Sequence, residues 1–437
     1  MAGLNILEAA KQLLLEAPLC ESCLGRCFSK IGRGMSNRER GYLLKGVLLL
    51  EAERLKVEGN EEGERLLKAL GRSGFKAALD ESGRGGPEGC YVCGGLMDKL
   101  QDFIPIIREA LSSYEYTTFL LGTRVPGSVI EREDSLRAKL SLNYGESLKS
   151  DINRELRRLL SKKLERPIDF KRPDVVIVVD VETCRVEVKP SPIFISGRYL
   201  KLKEGIPQNK WYCPKCWGSG CEHCRWAGKL YPTSIEELVA EPIKEIFRGR
   251  DAKFHGAGRE DVDVKVLGRG RPFIVEVREP VRRNVDLAKV EEEVNQRAKG
   301  LIEVRELKYS SREEVRKLKM TAQIREKVYL AKVRVKGGVS KEEASELERA
   351  LSGSLIKQRT PLRVLHRRAD KVRIKRVYEF KVQDLMEEAL TVLIRAQGGL
   401  YIKELITGDE GRTVPSVAGL LNKKVEVEEL VVLDVLE

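Results

Sequence analysis

The sequence predicts an α+β protein: a helical, cysteine-bearing N-terminal region and a small α+β accessory domain, followed by a larger domain with a mixed or antiparallel sheet. Three observations lead there. Amphipathic helical stretches broken by cysteine pairs occupy the chain up to about residue 95. From about Tyr114, β-branched runs begin to alternate with basic helices. From about Thr233 to Glu437, strands and helices alternate with no internal repeat or low-complexity segment. At 437 residues the chain is too long for one ordinary domain and suits two or three.

The elements follow in order. Residues 1–95 form the helical region, with NRERGYLLKGVLLLEAERLK as its amphipathic helix. In residues 96–204, TTFLLGTRVP predicts a strand, SDINRELRRLLSKKLE a basic helix and DVVIVVDVETCRVEVKPSPIFISG a strand pair. PIFISGRYLKL closes that domain, and Cys184 reads as one of its core residues. Residues 205–232 carry a dense cysteine cluster and read as a connector. Across residues 233–437, VDVKVL, PFIVEVRE, VYLAKVRV, RVYEFKV, ALTVLIRAQ and VEVEELVVLDVLE predict strands, and KVEEEVNQRAKG and KEEASELERALSG predict helices.

Composition narrows the class. Hydrophobic residues reach 42%, enough for real cores. Lys+Arg number 80 against 67 Asp+Glu, a formal net charge of +13. That excess favours a polyanionic partner, because each neutralised phosphate releases condensed counterions. The same crowding of Lys, Arg and Glu also suits the ion-pair networks of a thermophile surface. No apolar run approaches the roughly 18–20 residues needed to cross a bilayer. The start, MAGLNILEAAKQLLLEAPLC, is acidic and helically patterned rather than signal-like, so a cytoplasmic protein is expected. With only His223, His255 and His366, serine–histidine and histidine-rich metal chemistry are poor fits.

Ten cysteines in a reducing compartment need a role other than disulfides. Cys20-x-x-Cys23 and Cys90-x-x-Cys93 can present four thiolates to one zinc ion. Cys27 could compete as a ligand, but its three-residue gap from Cys23 makes it the less natural choice. Cys213-x-x-Cys216 and Cys221-x-x-Cys224, joined by a short glycine linker, read as a compact zinc knuckle. Four thiolates leave no open position for water, so these sites are structural, and one or two zinc ions are expected. Trp211 and Trp217 flank the knuckle as core or RNA-stacking residues.

The segment from His255 to Phe273 carries the most chemistry. A Gly256–Gly258 loop runs into strict alternation, with Val262, Val264 and Val266 on one side and Asp261, Asp263 and Lys265 on the other. Asp261 is thus expected where a loop becomes a rigid strand, a good place for a group whose aim matters. GRGRP reads as a turn to the next strand, adding Arg269 and Arg271 as phosphate contacts. Arg359, Arg363, Arg367 and Arg368 form a basic cluster, either a solvated face or a loop that grips phosphate. GAGRED is followed by a strand rather than a helix, which does not fit a dinucleotide fingerprint.

Gly258-Arg-Glu-Asp261 resembles the GR-x-D signature around the catalytic aspartate of pseudouridine synthases. The longer string GREDVDVKVLGRGRPFIVEV resembles one branch, the archaeal and eukaryotic family called pseudouridine synthase ten. The likeness continues through Ile356-Lys-Gln-Arg-Thr-Pro361, His366-Arg-Arg-Ala-Asp370, Gly398-Gly-Leu-Tyr-Ile-Lys-Glu-Leu405 and Gly408-Asp-Glu-Gly-Arg-Thr413. Residues of the accessory domain resemble a THUMP domain, a small RNA-binding module, so the resemblance covers most of the chain. It implies a pseudouridine synthase catalytic domain and isomerisation of uridine in the TΨC arm of tRNA, at position 54, 55 or both. It also implies a stand-alone monomer that needs no guide RNA and no catalytic cofactor. Asp261 would act as nucleophile at C1′ or as base at C2′, with Lys403 as its basic partner. Tyr329 would stack on the base, Tyr401 would line the pocket, and Arg271 and Arg359 would contact substrate. The chief rival is a non-catalytic tRNA-binding protein or chaperone on the same fold. A THUMP-linked methyltransferase or thiouridine synthase would need a nucleotide-binding turn, or a phosphate loop with a working cysteine.

Overall fold

A computed structural model of the chain describes residues 5–82, 87–140, 142–321 and 325–436. It divides into two compact units, Met1–Ser191 and Pro192–Glu437.

In the first unit, the helix Asn37–Val57 starts at a capping box in which the Ser36 hydroxyl accepts from Glu39 N–H and the Glu39 carboxylate accepts from Ser36 N–H. The short helix Glu21–Arg26 crosses it in backbone contact. A Cβ added to Gly25 would lie 1.9 Å from the Asn37 carbonyl oxygen, and one on Gly41 would lie 1.9 Å from that of Glu21. This crossing fixes Cys20 and Cys23, which cap and line the short helix. Arg26, buried in the same helix, reaches Glu133 at 2.8 Å. The strands β1 (Phe119–Arg124), β2 (Val175–Asp180) and β3 (Arg185–Pro190) form a sheet, with β1–β2 parallel and β2–β3 antiparallel. The basic helix Leu148–Leu164 buries Ile152, Leu156 and Leu160.

Two expectations change here. Residues from Ala9 to Val181 share one hydrophobic core, so the helical region and the THUMP-like region are one body rather than two. Cys184 is exposed, because Asp180 caps the turn between β2 and β3 by accepting from the N–H groups of Glu182 and Thr183, which carries Cys184 out at φ +55°.

The second unit is built on ten strands: β4 (Ile193–Lys201), β5 (Asp251–Gly256), β6 (Lys265–Arg278), β7 (Ile302–Ser310), β8 (Glu326–Val335), β9 (Leu355–Arg359), β10 (Val372–Leu385), β11 (Ala389–Gln397), β12 (Thr413–Val414) and β13 (Val425–Val435). Their order is β12-β9-β10-β11-β8-β13-β6-β4-β7, with β5 paired to β6. All pairs are antiparallel except β13–β6, so the sheet is mixed as expected. PIFISGRYLKL does not close the first unit, since β4 lies inside this sheet between β6 and β7. The cysteine connector belongs to the same unit.

GRGRP is not a turn between strands. It is an irregular stretch inside β6, where Gly268 and Gly270 adopt φ +60° and +74°. A Cβ on Gly268 would meet the Leu433 carbonyl oxygen at 2.4 Å, so glycine lets β13 and β6 stay paired through the irregularity.

The glycine crossing in the first unit yields a stability test. Gly41→Ala is expected to cost about 3 kcal/mol through overpacking against backbone that cannot give way. A lowered urea midpoint, together with metal lost from the first cysteine set, checks it.

Candidate active site

Asp261 sits in the loop between β5 and β6 rather than on a strand. Residues 262 and 263 form a turn closed by the Val264 N–H donating to the Asp261 carbonyl at 3.2 Å, and β6 begins only at Lys265. Alternation survives for buried Val264 and Val266, while Val262 is only half-buried. The loop is held from inside. Gln208 Nε2 donates to the Gly258 carbonyl at 2.8 Å, and Arg271 Nη1 donates to the Ala257 carbonyl at 2.9 Å. Lys201 Nζ donates to the carbonyls of Asp261 (3.2 Å) and Val262 (2.7 Å). Glu260 turns inward, where Arg271 Nε lies 2.9 Å from its carboxylate and the Tyr199 hydroxyl donates at 2.8 Å. Burial and the Glu260 charge push the Tyr199 phenol well above its usual range, so it remains a donor.

Glu260 and Arg271 thus form a buried pair in the wall of the cavity that Asp261 also lines. Asp261, 36% exposed, faces a cavity of about 340 Å³ that Tyr329, Arg363, Leu400, Tyr401, Lys403 and Val432 help to line. Tyr329 reaches it from the middle of the sheet, paired with Ile394 of β11 and Val432 of β13. Burial pushes its phenol up to about 12, so the ring is neutral at physiological pH. Tyr401 stands just before the helix Ile402–Thr407. Buried Gln358 clamps its backbone by accepting from its N–H (2.8 Å) and donating to its carbonyl (3.0 Å).

The cation against Asp261 is Arg363. Its Nη2 lies 2.9 Å from Asp261 Oδ2, and its Nε donates to Glu404 at 2.6 Å. Lys403 lines the same cavity but pairs with Asp263, at 2.5 Å. Two carboxylates, Asp261 and Asp263, thus have two different cations, because Arg363 and Lys403 arrive from different elements. Arg368 donates to the Tyr401 hydroxyl at 2.9 Å. Arg359 is exposed, bound to Asp370 at 2.7 Å, and does not line the cavity. The side chain of Arg367 lies outside the described residues. Arg271, expected as a phosphate contact, is 1% exposed and engaged by Glu260 and the Ala257 carbonyl, and it lines the inner wall of the cavity beneath the loop. Arg269 is exposed beside Asp434.

Glu260, Gln208, Lys201 and Lys327 were not singled out from sequence. Lys327 lies two residues before Tyr329, on the same buried face of β8. Gly258 has φ +83°, which favours glycine, and a Cβ there would also press on Lys327 Nζ at 3.0 Å and Arg271 Nη1 at 3.2 Å. Burial, reinforced by the Arg271 charge and opposed by Glu260, brings Lys327 down to about 7.

The sulfurs of Cys20, Cys23, Cys90 and Cys93 all lie within 4.8 Å of one another, as do those of Cys213, Cys216, Cys221 and Cys224. Cys20–Cys93 measures 3.7 Å, while Cys213–Cys221 and Cys216–Cys224 each measure 3.8 Å. A tetrahedral ion with metal–sulfur bonds of about 2.3 Å separates its sulfurs by about 3.8 Å, so both sets can hold a metal ion. Cys27 instead donates to the Cys23 carbonyl. Among the described residues no helix is long and apolar enough to cross a membrane.

The depressed Lys327 gives a stability test with a definite sign. Its folded-state value lies below the unfolded one, so the penalty for burying it is full below about pH 7 and fades as pH rises towards the unfolded value. Lys327→Met is expected to raise stability by about 2 kcal/mol at pH 6–7, with the gain shrinking by pH 10. Urea melts across that range check it.

Comparison with known proteins places this arrangement. The family described as "Pus10, C-terminal" matches residues 194–436, and "Pus10 THUMP domain, archaeal" matches residues 104–180. A tRNA pseudouridine synthase Pus10 of Methanothermobacter marburgensis is 42% identical over 97% of this chain and 96% of its own length. Those of Methanopyrus kandleri (40% identical, 99% of each chain) and Methanocaldococcus jannaschii (41% identical, 99% of this chain and 95% of that one) are similar throughout. A solved Cbf5–Nop10–Gar1 complex covers 54% of this chain and 47% of that one at 16% identity and a TM-score of 0.30. With family matches over both units and full-length relatives near 40% identity, the chain belongs to the Pus10 family of tRNA pseudouridine synthases.

Proposed function

We propose that this protein isomerises uridine to pseudouridine in the TΨC arm of tRNA, at position 54, 55 or both. One observation carries the reading: Asp261 stands at the mouth of a tyrosine-walled cavity on a loop fixed from behind, with Arg363 at 2.9 Å.

Arg363 pairs with Asp261 and fixes its rotamer, while Glu404 orients the guanidinium. The target nucleoside leaves the RNA stack and enters the cavity, where the Tyr329 ring replaces the lost stacking. Leu400 and Val432 keep water from the sugar. Asp261 acts as nucleophile at C1′ or as base at C2′. The N1–C1′ bond breaks, the uracil turns over and C5 bonds to C1′, displacing Asp261 from C1′ or, in the other route, with Asp261 returning the C2′ proton; the C5 proton is lost and N1 gains one, so atoms balance. The isomerisation is redox-neutral and uses no catalytic cofactor. Lys403, beside Asp263 on the same wall, supplies a second cation for the sugar–phosphate. The first unit binds the tRNA body through its THUMP domain, and the enzyme works as a cytoplasmic monomer without a guide RNA. Both cysteine sets hold zinc, whose role at four thiolates is to fix the fold.

Purified protein and unmodified tRNA transcript, mapped base by base for pseudouridine, test the reading. Asp261→Asn is expected to lower kcat by 10³-fold or more, on the order of the loss of a reacting group, while still binding transcript. Retained turnover in this variant would sink the proposal in favour of a tRNA-binding protein on a synthase fold. Arg363→Met should cost about 100-fold and Lys403→Met less, because Arg363 pairs with the Asp261 carboxylate and Lys403 with that of Asp263. Elemental analysis is expected to find up to two zinc ions per chain, and a result of zero refutes both sites.

A further inference from the structure

We propose that the cysteine knuckle of the second unit is a base-stacking surface on which Trp217 and Trp226 take unpaired nucleotides of the substrate RNA next to the extruded uridine. The proposal rests on the synthase reading above and adds a contact that it does not need for chemistry.

Trp217 is 81% exposed and Trp226 73% exposed, and Tyr212 between Trp211 and Cys213 is 54% exposed. Tryptophan is the largest apolar side chain, and a fold with no use for it at the surface normally buries most of it. The backbone sharpens the point. Trp217 has φ +51° and Trp226 φ +65°, left-handed conformations that glycine adopts freely and bulky residues adopt at a cost. Both follow the second cysteine of a CxxC pair, at one and two residues' distance. The knuckle therefore forces these positions left-handed, and the sequence fills them with indole rings that point into solvent rather than with the residue that relieves the strain.

Charge selects the occupant. Lys215 and Arg225 are exposed beside the two rings, and Lys210 lies over the Tyr212 ring at 5.1 Å. Interleaved cations and aromatic faces on a chain with net charge +13 fit a polyanion whose repeating unit is itself a flat ring. An apolar protein partner would instead meet a patch broken by charges.

The knuckle is also tied to the site. Trp211 at its base lies under the Arg259 guanidinium at 5.1 Å, and Arg259 lines the Asp261 cavity. Gln208, three residues before Trp211, donates to the Gly258 carbonyl and to the Tyr199 hydroxyl, and so ties this segment to the loop. Rings, brace and aspartate therefore belong to one unit, so a base stacked on the knuckle has a set distance from the extruded uridine.

The test uses full-length protein, a 12-mer of oligouridylate and an unmodified tRNA transcript. Oligouridylate is expected to quench tryptophan fluorescence of the wild type. Trp217→Ala/Trp226→Ala should lose most of that quenching and bind transcript about 10-fold or more weaker, raising KM with kcat unchanged. Trp217→Tyr/Trp226→Tyr should recover most of the affinity, because a stacking ring remains. Unaltered zinc content in both variants shows an intact knuckle. Equal transcript affinity for the alanine variant and the wild type overturns the proposal, as does concentration-dependent self-association that disappears in the alanine variant while RNA binding does not. A wild type that quenches with oligouridylate but never isomerises uridine refutes the synthase reading and leaves the stacking surface standing.

Discussion

The ion pair between Glu260 and Arg271 is the constraint on which the candidate site depends. It lies almost wholly out of water, one residue before Asp261, with the Tyr199 hydroxyl completing the carboxylate. Removing one member of such a pair leaves an uncompensated buried charge, at a cost of about 3–5 kcal/mol. The pair lies in the wall of the cavity that Asp261 faces, so it anchors the loop directly beside the Asp261 carboxylate. Lys201 and Gln208 then fix the carbonyls on either side.

Much of the fold was legible in the sequence where one face of an element is buried. ALTVLIRAQ alternates between buried and half-buried positions along β11, and the period-2 reading finds its limits. KEEASELERALSG opens with a capping box at Ser340 and Glu343 and becomes the helix Lys341–Leu351. The reading failed where long-range contacts override local pattern. VDVKVL alternates, yet its first half is a turn, because the loop's carbonyls are claimed by Lys201 from β4. GRGRP has every local mark of a turn, yet it stays in β6, because β13 and β4 pair with that strand on both sides.

The site divides along the same line. Asp261, Tyr329, Tyr401 and Lys403 could be named from strings in the sequence, and they reach one cavity. What no string carries is which cation meets which carboxylate. Arg363 stood in a run of arginines with nothing local to separate it from Arg359, yet one touches Asp261 and the other Asp370. The cysteine spacing was legible for a simpler reason: metal geometry is local, and both four-sulfur sets assemble as their spacing requires.

The placement of β13 has a consequence for biosynthesis. It is the last strand of the sheet in chain order, yet it lies between β8 and β6 and brings Val432 to the cavity beside Tyr329. Until it has been delivered, β8 and β6 have no shared neighbour, and the facing edges of the two halves of the sheet are left without this partner. The second unit therefore cannot close its sheet before β13 is made, however early the other strands pair.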